Sequence, residues 1–320
     1  MVMHPVQERM RGSVVPVVTP FRPGNPDEVD VDAFAAHVHR VLAAGNDAVL
    51  VAGTTGDPTS LTPEERERLY RVAREVIDGE EKPALLLAGV GTTTLSETLA
   101  HMRRAEAAGA DAVAVIAPFF VKPRAEGLVA YYREVALATD LAVVLYNFPA
   151  RTGYSLTPEI VLAIRDSAPN VIGMKETSMD FLQVSRISER LGQDFRLFTG
   201  SGNLAIAGAV VGTAGVISAA SNLVPDRIAS LWRLCSTGQW EKAREAHFEL
   251  LELTDLLGQD SPAIIKAGMA RLGWIDPGMR LPMLPASQDL TTRLVALMDR
   301  MGIGEPSAAD LGAARTPGAR

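Results

Sequence analysis

Eight short apolar runs, rich in β-branched residues, recur along the chain and limit the folds that it can adopt. Runs that are apolar on both faces are typical of parallel strands buried between other layers of structure. Amphipathic stretches of helical character fill the gaps between them. The eight predicted strands are Val14–Thr19, Ala48–Ala52, Ala84–Ala88, Ala112–Ile116, Leu141–Tyr146, Val171–Lys175, Phe195–Thr199 and Ala214–Ile217.

Two of the gaps carry clear helix starts. Thr62 precedes Pro63 and an acidic first turn, and Thr157-Pro158-Glu159 repeats this order, which is typical of a helix N-terminus. Alternating strands and helices in one chain of 320 residues favour a single α/β unit, the (β/α)8 TIM barrel. An open doubly wound sheet is the alternative. However, the G-x-G-x-x-G fingerprint of its nucleotide-binding form is missing after the first predicted strand.

The chain stays helical after the eighth predicted strand. A barrel requires only one helix there, so the others form a C-terminal helical appendix that packs on the barrel or on another subunit. We predict a barrel over residues 1–224, C-terminal helices completing and flanking it over 225–302, and a disordered tail over 303–320. The predicted late helices are Asp226–Cys235, Trp240–Leu257, Ala263–Leu272 and Gln288–Met301.

Composition excludes several classes of protein. The net charge is -7 without a basic patch, which argues against nucleic acid as a partner. The longest apolar runs hold roughly 5 to 8 residues, well short of a membrane span. A single cysteine, Cys235, fits a buried structural thiol and a reducing cytoplasm, where we expect the protein. The five histidines lie on predicted helices or near the N-terminus, so no metal site is predicted.

Lys175 ends the sixth predicted strand, at the end of a barrel where active sites lie. By a period of two, Val171, Gly173 and Lys175 share one face, which is the barrel lumen if Lys175 points inward. Desolvation there lowers a lysine pKa, and a neutral amine attacks a ketone to form an imine. The alternative is a lysine that extends from the strand end into water.

Three further strand-end features point to the same chemistry. Tyr146 can move protons beside an imine-forming lysine, although it could also be an aromatic cap. Thr54 and Thr55 lie between two glycines and suit a carboxylate, although an ordinary turn would look similar. Arg151 suits a second carboxylate through its guanidinium, unless it is a surface arginine. Together these residues predict a site for a 2-oxo acid.

The chain resembles the dihydrodipicolinate synthase / N-acetylneuraminate lyase family over roughly residues 10 to 300. The resemblance implies a TIM barrel, a lyase of the class I aldolase type with a lysine imine, no metal or organic cofactor, and a homotetramer built from tight dimers. The motifs that carry it are Gly12-Ser13-Val14-Val15 through Thr19-Pro20, Gly53-Thr54-Thr55-Gly56, Tyr146 to Gly153, Gly173-Met174-Lys175-Glu176, Gly215-Val216-Ile217-Ser218 and Arg280-Leu281-Pro282-Met283.

The same resemblance implies roles for single residues. Lys175 is the Schiff-base lysine and Tyr146 the proton shuttle, which Thr54 contacts. Thr54 and Thr55 bind the pyruvyl carboxylate, and Arg151 binds a carboxylate on the second substrate. The remaining predicted substrate-binding positions are Gly53, Gly200, Ile217 and Phe120, of which Gly200 and Ile217 contribute backbone carbonyls.

The chain departs from the family after the fourth strand. Dihydrodipicolinate synthases carry Pro-Tyr-Tyr there, and sialate lyases keep a tyrosine at the position of Phe120. Here the segment is Pro118-Phe119-Phe120, and a phenyl ring cannot pass a proton. Because Arg151 is kept, the second substrate still carries a distal anionic group. We therefore favour a catabolic 2-keto-3-deoxy acid aldolase or dehydratase over a 4-hydroxy-tetrahydrodipicolinate synthase.

The stretch Asp57–Arg66 lacks the polar and histidine contacts of lysine-inhibited synthases, so we predict no lysine feedback. Two other classes of function stay open at this point. A metal- or phosphate-dependent barrel has only the weak support of Gly200-Ser201-Gly202-Asn203. A non-catalytic 2-oxo acid sensor has little need for the proton shuttle Tyr146.

Overall fold

The computed structural model describes residues 4–304, in which eight parallel strands close into a barrel. Each barrel strand pairs with its neighbours in chain order, and β1 closes the ring by pairing with β10. The predicted TIM barrel is confirmed. The barrel strands are β1 (Gly12–Pro16), β4 (Ala48–Val51), β5 (Leu85–Gly89), β6 (Ala112–Ile116), β7 (Ala142–Asn147), β8 (Val171–Glu176), β9 (Arg196–Thr199) and β10 (Gly215–Ile217).

A small antiparallel hairpin follows the first barrel strand and was not predicted. It consists of β2 (Phe21–Arg22) and β3 (Asn25–Val29), joined through Gly24 at φ +71°. Its strands are too short and too polar to show a periodic pattern. Phe21 and Val29 are buried in the apolar layer outside the strands, and Arg280 donates to the carbonyls of Pro26 and Asp27, so these contacts fix the hairpin in place.

Within residues 4–304, twelve α-helices surround and extend the barrel, and two of them start where the sequence signals indicate. Thr62 caps α2 as one half of a capping box with Glu65, and Thr157 caps α6. The helices are α1 (Val31–Ala43), α2 (Pro63–Asp78), α3 (Leu95–Ala107), α4 (Ala125–Leu137), α5 (Pro149–Thr152), α6 (Pro158–Ser167), α7 (Phe181–Leu191), α8 (Ala205–Val210), α9 (Pro225–Ser236), α10 (Trp240–Gly258), α11 (Ala263–Arg271) and α12 (Gln288–Arg300).

Strand side chains alternate between two apolar layers. One set fills the lumen, and the other packs between the strands and the helices. Burying each such side chain contributes roughly 1.5–3 kcal/mol. The lumen set includes Val14, Leu50, Leu87, Val144, Ile172 and Phe198.

The C-terminal helices form their own apolar cluster and pack on the barrel of the same chain. Leu253, Ile264 and Leu294 are buried in this cluster, which also includes Val18 and Val216 from the barrel side. The buried Cys235 on α9 belongs to it, as the sequence predicts, and burial raises its pKa to about 11. The Ile303 amide donates to Met298, so packed chain continues past the predicted boundary at 302. Residues 305–320, most of the predicted tail, lie outside the described range.

A bulge in β8 corrects one prediction. Val143 pairs with Val171, whereas Val144 pairs with Gly173, so Ile172 is an extra residue on β8. Val171 therefore packs against the helix layer and does not share a face with Lys175. At Gly173, β8 lies so close to β9 that a Cβ would be 2.3 Å from the Arg196 carbonyl oxygen, which is why a glycine suits this position.

Candidate active site

The carboxyl ends of β4, β7 and β8 bring the predicted catalytic residues into one cavity of about 450 Å³. Tyr146 and Lys175 are direct partners in the β7–β8 register. The Lys175 Nζ lies 4.4 Å from the centre of the Tyr146 ring. The cavity lining includes Thr54, Thr55, Tyr146, Phe148, Arg151, Lys175, Thr177, Gly200, Ser201 and Ser218.

Lys175 is only 5% exposed at the upper end of the lumen. Desolvation by burial lowers its pKa from 10.5 to about 7. A substantial fraction of the amine is therefore neutral near pH 7. Such an amine is a nucleophile towards a ketone carbon, whereas an ordinary lysine is almost fully protonated at this pH.

Tyr146 is buried beside this amine, and its hydroxyl lies 3.1 Å from the Thr54 Oγ1. Burial raises its pKa, and the hydrogen bond with Thr54 opposes this shift. The phenol is therefore protonated at neutral pH and can donate a proton to a nearby oxygen. The ring stacks on Phe148 at 5.7 Å between centroids, which restricts its orientation.

The turn after β4 supplies the two predicted carboxylate-binding threonines. Thr54 to Gly56 form one turn of 3-10 helix, and the Thr19 hydroxyl donates to the Gly56 carbonyl at 2.7 Å. A Cβ on Gly56 would lie 3.0 Å from the Val17 carbonyl oxygen, so the turn packs closely on the barrel. Thr54 and Thr55 thus both line the Lys175 cavity from a fixed turn.

Arg151 lies on the short helix α5 and lines the cavity mouth. Its guanidinium carbon is 6.0 Å from the centre of the Phe148 ring, and the side chain is otherwise exposed. Its charge also lowers the pKa of Tyr146. This is a suitable place for the distal anionic group of a substrate.

Of the other predicted binding residues, Gly200 lines the Lys175 cavity, whereas Gly53 and Ile217 do not. Gly200 lines the cavity, where a Cβ would lie 1.9 Å from the Thr177 Cγ2. Gly53 lines a neighbouring cavity, and the Ile217 side chain belongs to the apolar lumen directly below Ser218. Their predicted contacts with substrate stay predictions.

Phe120 does not line the Lys175 cavity of its own chain, and its predicted contact with substrate stays a prediction. Its ring is 97% exposed, and its backbone has a φ of +67° that turns it away from the barrel. The neighbouring Phe119 lines a second cavity beside Thr54. The sequence could not show this, because it does not indicate which way the loop after β6 turns.

Thr177 is a cavity residue that was not predicted. It lines the pocket beside Lys175, and its hydroxyl donates to the Asn147 carbonyl and lowers the pKa of Tyr146. The available signal was its position two residues after Lys175, which places both on one side of an extended chain.

Within residues 4–304, no three or more His, Cys, Asp or Glu side chains converge on a possible metal position. In the same range, no helix is both long enough and apolar enough to cross a membrane.

A buried amine of lowered pKa, paired with a phenol at the carboxyl end of a TIM barrel, defines a lyase of the class I aldolase type, which acts through a lysine imine. Residues 9–301 match the Dihydrodipicolinate synthetase family, and the chain belongs to this family.

Similar proteins cover nearly the whole chain. A 4-hydroxy-tetrahydrodipicolinate synthase of Thermus thermophilus is 36% identical over 295 residues, covering 92% of this chain and 97% of that one. The enzyme of the same name from Thermotoga neapolitana is 33% identical over 297 residues, covering 92% and 99%. The crystal structure of dihydrodipicolinate synthase from Aquifex aeolicus has a TM-score of 0.88 and 29% identity, covering 93% of this chain and all 100% of that chain.

Proposed function

We propose that the protein condenses pyruvate with aspartate semialdehyde, as a 4-hydroxy-tetrahydrodipicolinate synthase. The observation that carries the chemistry is the desolvated Lys175 amine, 4.4 Å from the Tyr146 ring. The choice of reaction rests on the relatives at 33% and 36% identity, which bear this name. They favour the synthase over the catabolic aldolase or dehydratase that the sequence alone favoured.

The proposed reaction begins when the Lys175 nitrogen adds to the keto carbon of pyruvate. Tyr146 donates a proton to the departing hydroxyl, so that water leaves the carbinolamine and a protonated imine remains. The imine withdraws electrons from the adjacent methyl carbon, which loses a proton to the Tyr146 phenolate to give an enamine. The enamine carbon attacks the aldehyde carbon, and the aldehyde oxygen takes up this proton from the Tyr146 hydroxyl.

Product release requires the C–N bond to Lys175 to break. The amino group of the added semialdehyde unit attacks the imine carbon, closes a ring and displaces the Lys175 amine. Thr54 and Thr55 hold the pyruvyl carboxylate, and Arg151 holds the semialdehyde carboxylate at the mouth. Positioning of two reactants in this way contributes several kcal/mol to the lowering of the barrier.

A second candidate is cleavage or dehydration of a 2-keto-3-deoxy acid by the same imine. The observation that favours it is the Phe119-Phe120 pair, which replaces two tyrosine hydroxyls of the synthases. A reaction that uses Tyr146 alone as acid and base does not need those hydroxyls. The distal carboxylate of such a substrate would also meet Arg151.

One coupled assay separates the two candidates. Pyruvate and aspartate semialdehyde are supplied to the wild type and to Phe120→Tyr, with Lys175→Met as the inactive control. Robust wild-type turnover supports the synthase and shows that the reaction does not need a tyrosine hydroxyl at the position of Phe120. If the wild type is inactive with these substrates but cleaves 2-keto-3-deoxy acids to pyruvate, or removes water from them, the second candidate replaces the first.

We also propose a homotetramer, as the family resemblance implies. Large apolar side chains are exposed on the single chain, among them Phe120, Leu281 and Leu182. Exposed apolar side chains of this size suit contacts between subunits. Sedimentation velocity measures the assembly directly, and a monomer at working concentration would contradict the proposal.

A further inference from the structure

A buried carboxylate follows the reactive lysine directly, and the proposed reaction does not use it. Glu176 is 1% exposed and points to the helix side of β8, opposite to Lys175. Its Oε2 accepts hydrogen bonds from Asn147 Nδ2 at 2.8 Å and Gln183 Nε2 at 2.6 Å. Its Oε1 accepts one from the Ser178 backbone N–H at 2.5 Å. The donors come from β7, α7 and the loop between β8 and α7.

Asn147 links this carboxylate to the neighbouring strand. It is fully buried, and its Oδ1 accepts from the Leu156 backbone N–H at 2.9 Å. In the β7–β8 register, Asn147 pairs with Glu176, and Tyr146 pairs with Lys175. The pair Tyr146–Lys175 therefore faces the lumen, and the adjacent pair Asn147–Glu176 faces the helices.

The register at this place needs a specific support because of the bulge at Ile172. A bulge interrupts the strand ladder, and a slip of one residue turns every following side chain to the other face. Such a slip would place Lys175 against the helices and Glu176 in the lumen. Apolar side chains alone do not oppose it, because both faces of β8 are buried and apolar below this point.

We infer that Glu176 is a positioning residue that, with Asn147 and Gln183, fixes the β7–β8 register beyond the bulge and so holds the Lys175 amine in the lumen against Tyr146. The inference deepens the proposed function and rests on Lys175 as the reactive group. Glu176 acts through the backbone of β8 and touches no substrate. Its removal takes one of two acceptors from each of these buried amide groups, which otherwise donate only to the Ser155 hydroxyl, and this loss is costly in itself.

The test follows the titration of Lys175 without any substrate. Reductive 13C-methylation and NMR give the midpoint for wild type, Glu176→Ala and the double exchange Asn147→Asp with Glu176→Gln. The wild-type midpoint is expected near 7. In Glu176→Ala the strand end loosens, water reaches the amine, and the midpoint rises by at least about one pH unit. The double exchange keeps one carboxylate and one amide across the strands and restores the midpoint.

Asn170→Ala is the matched control. The Asn170 side chain joins the same two strands at their other end, where it donates to the carbonyls of Ala136, Thr139 and Leu141. This variant lowers the melting temperature but leaves the Lys175 midpoint unchanged. The inference is overturned if folded Glu176→Ala titrates like the wild type, or if Asn170→Ala shifts the midpoint equally. If Glu176→Ala does not fold, a folded double exchange with an altered midpoint overturns it.

Borohydride trapping of pyruvate on the same variants separates this inference from the proposed function. A wild type that titrates near 7 but forms no pyruvate adduct contradicts the function and leaves the titration test intact. A wild type that forms the adduct, with Glu176→Ala slowed at least 10-fold and the double exchange recovered, supports both.

Discussion

The Lys175 Nζ and the Tyr146 ring are 4.4 Å apart because β7 and β8 pair in a register that is offset by one bulge. The amine lies over the face of the ring, and the Tyr146 hydroxyl is directed to Thr54 at 3.1 Å. The nucleophile and the proton donor thus occupy neighbouring strands, with no flexible loop between them. A catalytic pair on strands is held more rigidly than one on loops.

The burial of Lys175 lowers the free energy of unfolding of the protein at neutral pH. The folded pKa of about 7 is below the unfolded value of 10.5, so the unfolded chain binds more protons between these values. Stability therefore rises with pH from about 7 to 10.5. We expect Lys175→Met to raise the free energy of unfolding at pH 7 by several kcal/mol. Thermal unfolding measures this, with the exposed Lys242→Met as a control that changes little. A destabilised Lys175→Met would refute the expectation.

Tyr146→Phe keeps the ring and removes the hydroxyl that contacts Thr54. We expect kcat to fall by about 10²- to 10⁴-fold, the usual contribution of a general acid–base group. The variant should still bind pyruvate, and its imine should form more slowly. Stopped-flow trapping with borohydride measures that rate. A kcat within twofold of the wild type would remove Tyr146 from the mechanism.

Arg151→Met tests the second carboxylate site at the cavity mouth. The guanidinium there is exposed and does not touch Lys175, so pyruvate should still be trapped on Lys175 in this variant. We expect KM for aspartate semialdehyde to rise at least about 10-fold, as one charged hydrogen-bonded contact is lost. Steady-state kinetics with each substrate varied in turn measure the two effects. A change in the KM for pyruvate alone would contradict this assignment.

The absence of lysine feedback stays a prediction, which rests on the sequence of the stretch Asp57–Arg66. A second cavity of about 540 Å³ beside Thr54 is lined by Pro58, Arg66 and Phe119. The Arg66 side chain is buried there, and its Nη1 has no hydrogen-bond partner. The same cavity is also lined by Asp57, Glu97 and His101, so its charges alone do not decide whether lysine binds. Initial rates should stay constant as lysine is titrated, and a dose-dependent loss would refute the prediction.

Most of the barrel could be predicted from the sequence because buried parallel strands are continuous apolar runs. β6 matches its predicted run at both ends, and the turn at Thr62 starts a helix as its capping box indicates. The chemistry at Lys175 followed from its place at a strand end. These features depend on short stretches of sequence, so they can be recognised before the fold is known.

The errors come from features that depend on the assembled fold. The bulge at Ile172 is a property of two strands together, so the alternation of one strand placed Val171 on the wrong face. The outward turn of Phe120 depends on the backbone of a loop. Glu176 appeared only as part of a motif, because its hydrogen bonds to Asn147 and Gln183 join three separate elements.

Reductive trapping tests the central claim most directly. The protein is incubated with pyruvate and borohydride, digested, and its peptides are analysed by mass spectrometry, with Lys175→Met treated in parallel. We predict one reduced pyruvate adduct on the peptide that contains Lys175, formed faster as the pH rises through about 7, and none in the variant. An unmodified Lys175, or an adduct on another lysine that persists in Lys175→Met, would contradict the account.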